Sequence, residues 1–225
     1  VTVTGSFTVN KYKLTYVVDG NVFHTDSVAY GSRLSAIDEP VKDGCTFSGW
    51  VGLPEFMPAK DVTVTGSFVT NGYKLTYMVD GEIYKTIVVE YGTAITPEEA
   101  PVKEGHTFSG WSDIPETMPA EDVTVTGSFT VNKYKLTYVV DGAEYHTDSV
   151  AYGSKLTAIE VPVKEGHTFS GWDNVPETMP AKDVVVTGSY TVNKYLITFK
   201  IGDEVIASDS LAYGSAIVAP EAPVK

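Results

Sequence analysis

Cysteine is almost absent from this chain of 225 residues, because Cys45 is the only one. No disulfide can therefore form within the chain, although this does not exclude an extracellular location. The sequence also lacks a run of about 18 apolar residues, which excludes a transmembrane helix. It has neither a basic-then-apolar amino-terminal signal nor a sorting tail. Because the pattern is interrupted at Val1 and at Lys225, we expect a fragment of a longer protein.

Basic residues are also scarce. The chain has 16 Lys and Arg against 29 Asp and Glu, a net charge of −13. An acidic surface repels nucleic acid and anionic lipid, and no basic cluster overrides it. We therefore predict no nucleic-acid partner and no membrane insertion of this fragment. Apolar residues make up 43% of the chain, which is enough for packed cores, so a disordered chain is not expected.

What the sequence has in abundance is an internal repeat. The segment Thr-Phe-Ser-Gly-Trp occurs three times, and its tryptophans follow each other at intervals of 61 residues. A fixed period of this length takes precedence over a domain count from chain length. We call each period a module. The predicted boundaries are 1–10, the closing strand of a preceding module; 11–71, 72–132 and 133–193, three complete modules; and 194–225, a partial fourth module with the first hairpin only.

Each module opens with a predicted β-hairpin. In the first module Tyr12, Leu14 and Tyr16 alternate with polar residues, as in a half-buried strand. Asp19-Gly20 follows, and Asp-Gly between two such segments predicts a type I′ turn, which needs positive φ at both central residues. The dipeptide recurs as Asp80-Gly81 and Asp141-Gly142 and is inverted in the fourth copy, where Gly202-Asp203 predicts a type II′ turn.

The rest of a module predicts two further strands. A Tyr-Gly pair ends the hairpin, and prolines bound the next segment, so at most one short helical turn is expected there. Thr-Phe-Ser-Gly-Trp forms the third strand and, after a Met-Pro connection, Val-Thr-Val-Thr-Gly-Ser-Phe forms the fourth. The predicted fold class is therefore mainly β, a tandem array of small four-stranded modules. A domain of about 60 residues is marginally stable, so we expect neighbouring modules to help hold one another.

The complete unit resembles the Listeria–Bacteroides repeat, the family that includes the B repeat of internalin B. The matching motifs are the alternating strand with Asp-Gly, the Tyr-Gly pair, the Pro-x-Lys-x-Gly turn, the Thr-Phe-x-Gly-Trp strand and the Met-Pro-Ala-x-Asp lead into the closing strand. The resemblance covers the whole chain. It implies a β-grasp-like module of bacterial surface or secreted proteins, often beside leucine-rich repeats. The segment from Ser112 to Thr117 is shorter than in the family, and the fourth copy ends at Pro223-Val224-Lys225 without a Gly-Trp half.

Three sets of recurring aromatic residues are candidates for ligand binding. The tryptophans could stack on sugars, but a Trp on an apolar strand more often packs in the core and bonds its indole N–H, which is the interpretation we prefer. The tyrosines could form an exposed aromatic ladder, but rings packed in the core with solvent-exposed hydroxyls are the preferred interpretation. The sets are Trp50, Trp111 and Trp172; Tyr12, Tyr73, Tyr134 and Tyr195; and Tyr30, Tyr91, Tyr152 and Tyr213.

The other chemically active residues form no recognisable motif. The four histidines lack metal-ligand spacing, and no cysteine accompanies them as a ligand. The aspartates before the closing strands lack a calcium-loop pattern and are expected to cap the Met-Pro-Ala turn. The serines after Tyr-Gly have no nearby histidine or oxyanion motif. We therefore predict no catalytic, cofactor-binding or metal-binding residues. The residues considered are His24, His106, His146 and His167; Asp61, Asp122 and Asp183; and Ser32, Ser154 and Ser215.

Near-identical copies favour a structural or binding function over an enzyme. An active site needs different groups that converge on one pocket, whereas a repeated module supplies length or weak binding multiplied by avidity. The first hypothesis is a non-catalytic spacer that projects a recognition domain of a bacterial cell-surface or secreted protein. The alternative is an adhesive array whose modules bind a host or microbial glycan or protein weakly. The expected partners are neighbouring modules of the same chain and, in the alternative, that surface ligand.

Overall fold

The computed structural model describes residues 1–222, so the predicted end of the partial fourth module at Pro223-Val224-Lys225 lies outside the described residues. The described residues form strands, turns and loops without a helix, which confirms the mainly β class. In chain order the strands are β1 (Lys11–Val18), β2 (Asn21–Ala29), β3 (Cys45–Phe47), β4 (Val62–Gly66), β5 (Phe68–Thr70), β6 (Gly72–Val79), β7 (Glu82–Glu90), β8 (His106–Phe108), β9 (Val123–Gly127), β10 (Phe129–Val131), β11 (Lys133–Val140), β12 (Ala143–Ala151), β13 (His167–Phe169), β14 (Val184–Gly188), β15 (Tyr190–Val192), β16 (Lys194–Ile201) and β17 (Glu204–Ala212).

The chain divides into two compact units, of which the first comprises Val1–Ala100 and Ser109–Ser128. This unit holds a three-stranded sheet in the order β2-β1-β4, a two-stranded sheet β3-β5 and a second three-stranded sheet in the order β7-β6-β9. In both three-stranded sheets the central strand pairs antiparallel with its hairpin partner and parallel with the third strand.

The second unit comprises Pro101–Phe108 and Phe129–Lys225. It holds a three-stranded sheet in the order β12-β11-β14, the hairpin β16-β17, and the two-stranded sheets β10-β8 and β13-β15. The pairing of β11 repeats that of β1, antiparallel to β12 and parallel to β14.

A long proline-containing segment connects the hairpin to the third strand of each three-stranded sheet. It begins after Ala29, which pairs with Lys11, and ends before Val62, which pairs with Leu14, so it starts and ends at the same end of the sheet. We call this segment the crossover because it passes from one side of β1 to the other, and it carries the Tyr-Gly, Gly-Trp and Met-Pro motifs. Its Met57 and Trp50 pack against Leu14 and Tyr16 of β1, so the crossover also supplies the core.

The hairpin turns are confirmed. Asp19 has a φ of 49° and Gly20 a φ of 81°, so both central residues lie in the left-handed region as a type I′ turn requires. The turns at Asp80-Gly81 and Asp141-Gly142 repeat this geometry. In the fourth hairpin only Gly202 has a positive φ, 61°, as expected for the first central residue of a type II′ turn.

The closing strand differs from the prediction, because one predicted strand is two. β4 ends at Gly66 and pairs with β1, whereas β5 begins at Phe68 and pairs with β3. Side-chain acceptors take the backbone N–H groups at the break: Ser67 N donates to Ser48 Oγ (3.0 Å) and Phe68 N donates to Asp19 Oδ1 (3.1 Å). The modules 11–71 and 133–193 therefore each contain five strands in two sheets.

Each three-stranded sheet buries a small apolar cluster on one face. In the first cluster Leu14, Tyr16, Met57 and Val64 are buried. Full burial of one such side chain contributes about 1.5 to 3 kcal/mol, so a core of four is small and leaves a module marginally stable. The corresponding clusters are Leu75, Tyr77, Met118 and Val125, and Leu136, Tyr138, Met179 and Val186.

Candidate functional site

The tryptophans pack against the buried clusters, as the sequence predicts. Trp50 is half-buried beside Tyr16, with ring centroids 4.9 Å apart in an edge-to-face arrangement. Its indole N–H donates to the Ile37 carbonyl at 3.2 Å. Trp111 and Trp172 repeat this bond with the carbonyls of Glu98 (2.8 Å) and Ile159 (3.2 Å). The indole therefore holds the crossover against the sheet.

The most buried aromatic ring of each module is a tyrosine that sequence reasoning did not single out. Tyr16, Tyr77 and Tyr138 are at most 1% exposed. Burial, and after it the nearby carboxylate of Asp26, raises the pKa of Tyr16 above its ordinary value. Burial and Asp148 raise the pKa of Tyr138 in the same way. The strand alternation placed these residues on the apolar face, but the sequence has no signal for a deeply buried hydroxyl.

Beside the third tryptophan lies an open surface groove. Tyr145, His146, Ile159 and Glu160 line it, and its volume is about 360 Å³. The Tyr145 ring is 50% exposed and lies 6.0 Å from the ring of Trp172, centroid to centroid. The groove thus presents an aromatic ring beside a carboxylate and an imidazole.

A β-bulge directs this exposed ring in every complete module. The register shifts between Tyr138 and Val139, which leaves Tyr145 as the extra residue of β12, and a bulge of this kind re-aims a side chain. Phe23 and Tyr84 occupy the same place against Trp50 and Trp111. In module 72–132 the residues around this position differ from those that line the groove of module 133–193. There Lys85 Nζ lies 2.6 Å from Glu98 Oε2, and this bond raises the pKa of Lys85.

The second tyrosine set has a different position from the predicted one. Tyr91, at the end of β7, lies over Gly44, the last residue of the Pro-x-Lys-x-Gly turn of the preceding module. Gly44 is buried and has a φ of 66°, and a Cβ added to it would overlap the ring of Tyr91. Only glycine therefore fits under this ring.

Asn71 joins the same two modules by hydrogen bonds. Its backbone N–H donates to the Gly44 carbonyl (2.8 Å), its Oδ1 accepts from Thr46 Oγ1 (2.6 Å), and its carbonyl accepts from the Tyr91 N–H (2.9 Å). We call the set of glycine, asparagine and tyrosine a module junction. Two further junctions with the same bonds and the same ring-over-glycine contact are Gly105, Asn132 and Tyr152, and Gly166, Asn193 and Tyr213.

The prediction of a core position is thus wrong for the second tyrosine set. Tyr213 is 44% exposed and Tyr91 36%, and both lie at junctions. Tyr30, which has the same place in its hairpin but no glycine beneath it in the described residues, is 57% exposed. In the first set the prediction is confirmed for Tyr12, Tyr73 and Tyr134, which pack against the clusters, whereas Tyr195 is 49% exposed.

Histidines occupy two kinds of position. His106 lies at a junction, where its ring contacts Tyr152 at 5.9 Å and its Nδ1–H donates to the Glu104 carbonyl (2.7 Å). His167 repeats this arrangement, and Cys45 takes the same sequence position as a half-buried free thiol. The other two histidines are surface residues, each beside an aspartate two residues on: His24 with Asp26 and His146 with Asp148.

The aspartates before the closing strands accept a bond from another strand. Asp61 Oδ1 accepts from the backbone N–H of Lys13 at 2.8 Å. Asp122 Oδ1 and Asp183 Oδ1 accept in the same way from the backbone N–H groups of Lys74 and Lys135, each at 2.8 Å. The expected cap of the Met-Pro-Ala turn is therefore replaced by a tie between the start of β4 and β1, a contact that depends on the parallel pairing.

The remaining candidates show no clustering within residues 1–222. In that range no group of three or more His, Cys, Asp or Glu side chains could hold a metal ion. Ser32 is predicted to have no catalytic role. Its carbonyl accepts a hydrogen bond from the Met57 N–H (2.9 Å). The described residues also contain no helix that is long and apolar enough to cross a membrane.

Relatives of the chain are bacterial proteins. A protein of Evansella cellulosilytica, whose name describes a Gly-rich membrane protein, is 28% identical over all of this chain and 30% of its own length. Internalin H of Listeria monocytogenes is 33% identical over 56% of this chain and 26% of its own length. The chain thus spans less than a third of either relative.

A family comparison matches each complete module in turn. The Listeria-Bacteroides repeat domain matches residues 12–70, 73–131 and 134–192. These matches cover most of the chain and contain the hairpin, the short third strand, which ends at the Phe before Ser-Gly-Trp, and the divided closing strand described above. The chain therefore belongs to the Listeria–Bacteroides repeat family.

Proposed function

We propose that this chain is a non-catalytic spacer of a bacterial cell-surface or secreted protein, which holds a recognition domain away from the cell. The module junction carries the proposal. The same glycine, asparagine and tyrosine meet three times at constant sequence spacing, so one module follows another through a defined contact. A repeated contact of this kind supplies length without demanding a pocket.

The relatives support the cellular setting. Internalin H and a protein named as a membrane protein are similar in sequence to this chain, each over less than a third of its own length. The parallel pairing of β1 with β4 supports the β-grasp-like assignment that the family resemblance implies. We accordingly place the chain outside the bacterial cell, with its neighbouring modules as its principal partners.

A surface-display experiment tests the spacer. The chain is placed between a cell-wall anchor and an epitope tag, and binding of antibody-coated beads to the cells is measured. Versions that lack one or two 61-residue modules should bind fewer beads in proportion. A Gly/Ser linker with as many residues as the full chain is the control and should present the tag less well, because flexible linkers extend only with the square root of length. Bead binding that is independent of module number would contradict the proposal.

The groove beside the tryptophan favours a second candidate, the adhesive array. Its exposed ring recurs as Phe23, Tyr84 and Tyr145, and exposed aromatic rings are typical of binding surfaces. The test is binding of the full chain to immobilised mucin, matrix proteins and a glycan panel. The matched control replaces all three residues by Ala. Binding that the control loses would favour adhesion over the spacer.

A further inference from the structure

The two-stranded sheet of each module is too small to be stable by itself. β3 and β5 contribute three residues each, and isolated two-stranded pairs are marginal at best in water. Within the sheet the rings of Phe47 and Phe68 are in contact, with centroids 5.5 Å apart, and Phe47 also contacts Trp50 of the same module at 4.9 Å. Additional stabilisation therefore has to come from groups outside this sheet.

The following module supplies such groups. Tyr91 covers Gly44, which directly precedes β3, and Asn71, which directly follows β5, bonds to both ends of the contact. The tyrosine belongs to the hairpin β6-β7, which has its own cluster around Leu75 and Tyr77. The ring and the sheet that it covers thus belong to different modules.

Tyr30 provides an internal comparison for this contact. The N–H of Gly31 donates to the Met57 carbonyl (2.9 Å), and the N–H of Gly92 donates to the Met118 carbonyl (2.8 Å), so both Tyr-Gly pairs are held by the same local bond. Of these two tyrosines, Tyr91 has a glycine of the preceding module under its ring and Tyr30 has none among the described residues. The Tyr30 N–H also donates to the Asn10 carbonyl (2.9 Å), as the Tyr91 N–H does to Asn71, so the two tyrosines differ in the glycine turn under the ring.

We propose that the junction tyrosine is a docking surface for the glycine turn of the preceding module, and that it couples the folding of neighbouring modules in one direction. The β3-β5 sheet of module 11–71 then depends on Tyr91 of the next module. This coupling is independent of the spacer role, because an adhesive array would gain from it equally. It makes the chain a cooperative series in place of a row of independent domains.

Hydrogen exchange on the full chain tests the coupling, with Tyr91→Ala and Tyr30→Ala as the matched pair. Tyr91→Ala should speed amide exchange in 45–47 and 68–70 at least about tenfold, the ratio that corresponds to about 1.4 kcal/mol. Tyr30→Ala should leave exchange in those residues unchanged. Tyr91→Phe keeps the ring and should retain most of the protection.

A glycine pair keeps the test decisive if Tyr91→Ala fails to fold. Gly44 and Gly49 both have positive φ, 66° and 85°, but only Gly44 has a ring where a Cβ would lie. Gly44→Ala should therefore loosen β3 and β5 far more than Gly49→Ala. The coupling is refuted if the two glycine variants behave alike, or if Tyr91→Ala affects only the residues of its own hairpin.

Discussion

Residues 1–10 and 123–132 have the same ten-residue sequence, Val-Thr-Val-Thr-Gly-Ser-Phe-Thr-Val-Asn, but different structures. The second copy forms β9 and β10, and its Val125 is fully buried. In the first copy every residue is exposed, none is in a strand, and the equivalent Val3 is 89% exposed.

The difference shows that partners decide the conformation of this segment. β9 lies parallel to β6 and β10 lies antiparallel to β8, so each strand depends on residues distant in the sequence. Alternating Val and Thr favour a strand in both copies, yet only the copy with two partners forms one. Pairing partners, and not the local sequence, thus decide whether this segment forms strands.

The largest expected effect comes from a charge in the buried copy. Val125→Asp places an unpaired carboxylate in the cluster with Leu75, Tyr77 and Met118, which should destabilise the module by about 3 to 5 kcal/mol. Val3→Asp is the control, because it makes the same change in the same local sequence on an exposed residue. Urea unfolding followed by Trp fluorescence measures both. An equal decrease in the free energy of unfolding for the two variants would mean that local sequence, and not pairing with other strands, determines stability.

A partner supplied to the first copy should convert it into strands. In an extended chain, residues 72–122 are added before Val1. Residues 1–10 then follow the same sequence that residues 123–132 follow. Residues 1–10 should become protected from amide exchange. In the extended chain the Tyr30 ring covers a glycine, so Tyr30→Ala should lower the free energy of unfolding by about 1 to 2 kcal/mol, whereas in the original chain it should have no such effect. The control is the same extension with Ala in place of the added copy of Gly105, and it should leave Tyr30 exposed. Unprotected residues 1–10 in the extended chain would contradict the interpretation.

The identical segments also show how far sequence analysis could go. The repeat, the hairpins and the turn types were predictable, because Asp19-Gly20 and Gly202-Asp203 act through backbone conformations of adjacent residues. The tryptophans were predictable as core residues with a bonded N–H. The division of the closing strand was not, because it depends on Asp19 and Ser48, which directly follow β1 and β3 and lie far away in the sequence.

The candidate site was harder to predict than the fold. Gly44 and Tyr91 lie 47 residues apart, and the sequence contains only their constant spacing as a signal. Every residue of a regular repeat has such a spacing, so it cannot distinguish a contact from a mere recurrence. The junction and the groove at the bulged Tyr145 both required knowledge of which strands pair.

A smaller effect is expected from the aspartate that precedes β9. Asp122→Ala removes the acceptor of the Lys74 N–H, which ties the start of β9 to β6. The loss of this exposed hydrogen bond should lower the free energy of unfolding by about 1 kcal/mol. Glu121→Ala makes the same change of charge one residue earlier, on an exposed side chain. Thermal unfolding of both variants measures the difference, and a loss of equal size for Glu121→Ala would assign the effect to net charge.

The mildest perturbation is alkaline pH, which acts on a strand with partners and not on residues 1–10. β4 contains a third copy of Val-Thr-Val-Thr-Gly, and its Val64 pairs with Tyr16, whose pKa is raised by burial and then by Asp26. The unfolded chain therefore loses this phenolic proton first, near a pH of about 10, and stability falls as the pH rises further toward the folded pKa. Below that range the contribution of Tyr16 to stability is complete.

The groups around Tyr16 include the Asp26 carboxylate and the rings of His24 and Trp50, and the net effect of its surroundings on the pKa is upward. Amide exchange in 62–66, compared with a Tyr16→Phe variant after correction for intrinsic rates, should increase with pH only in the unaltered chain. An equal increase in the Phe variant would show that other groups weaken β4 at high pH, while exchange in residues 1–10 should follow intrinsic rates throughout.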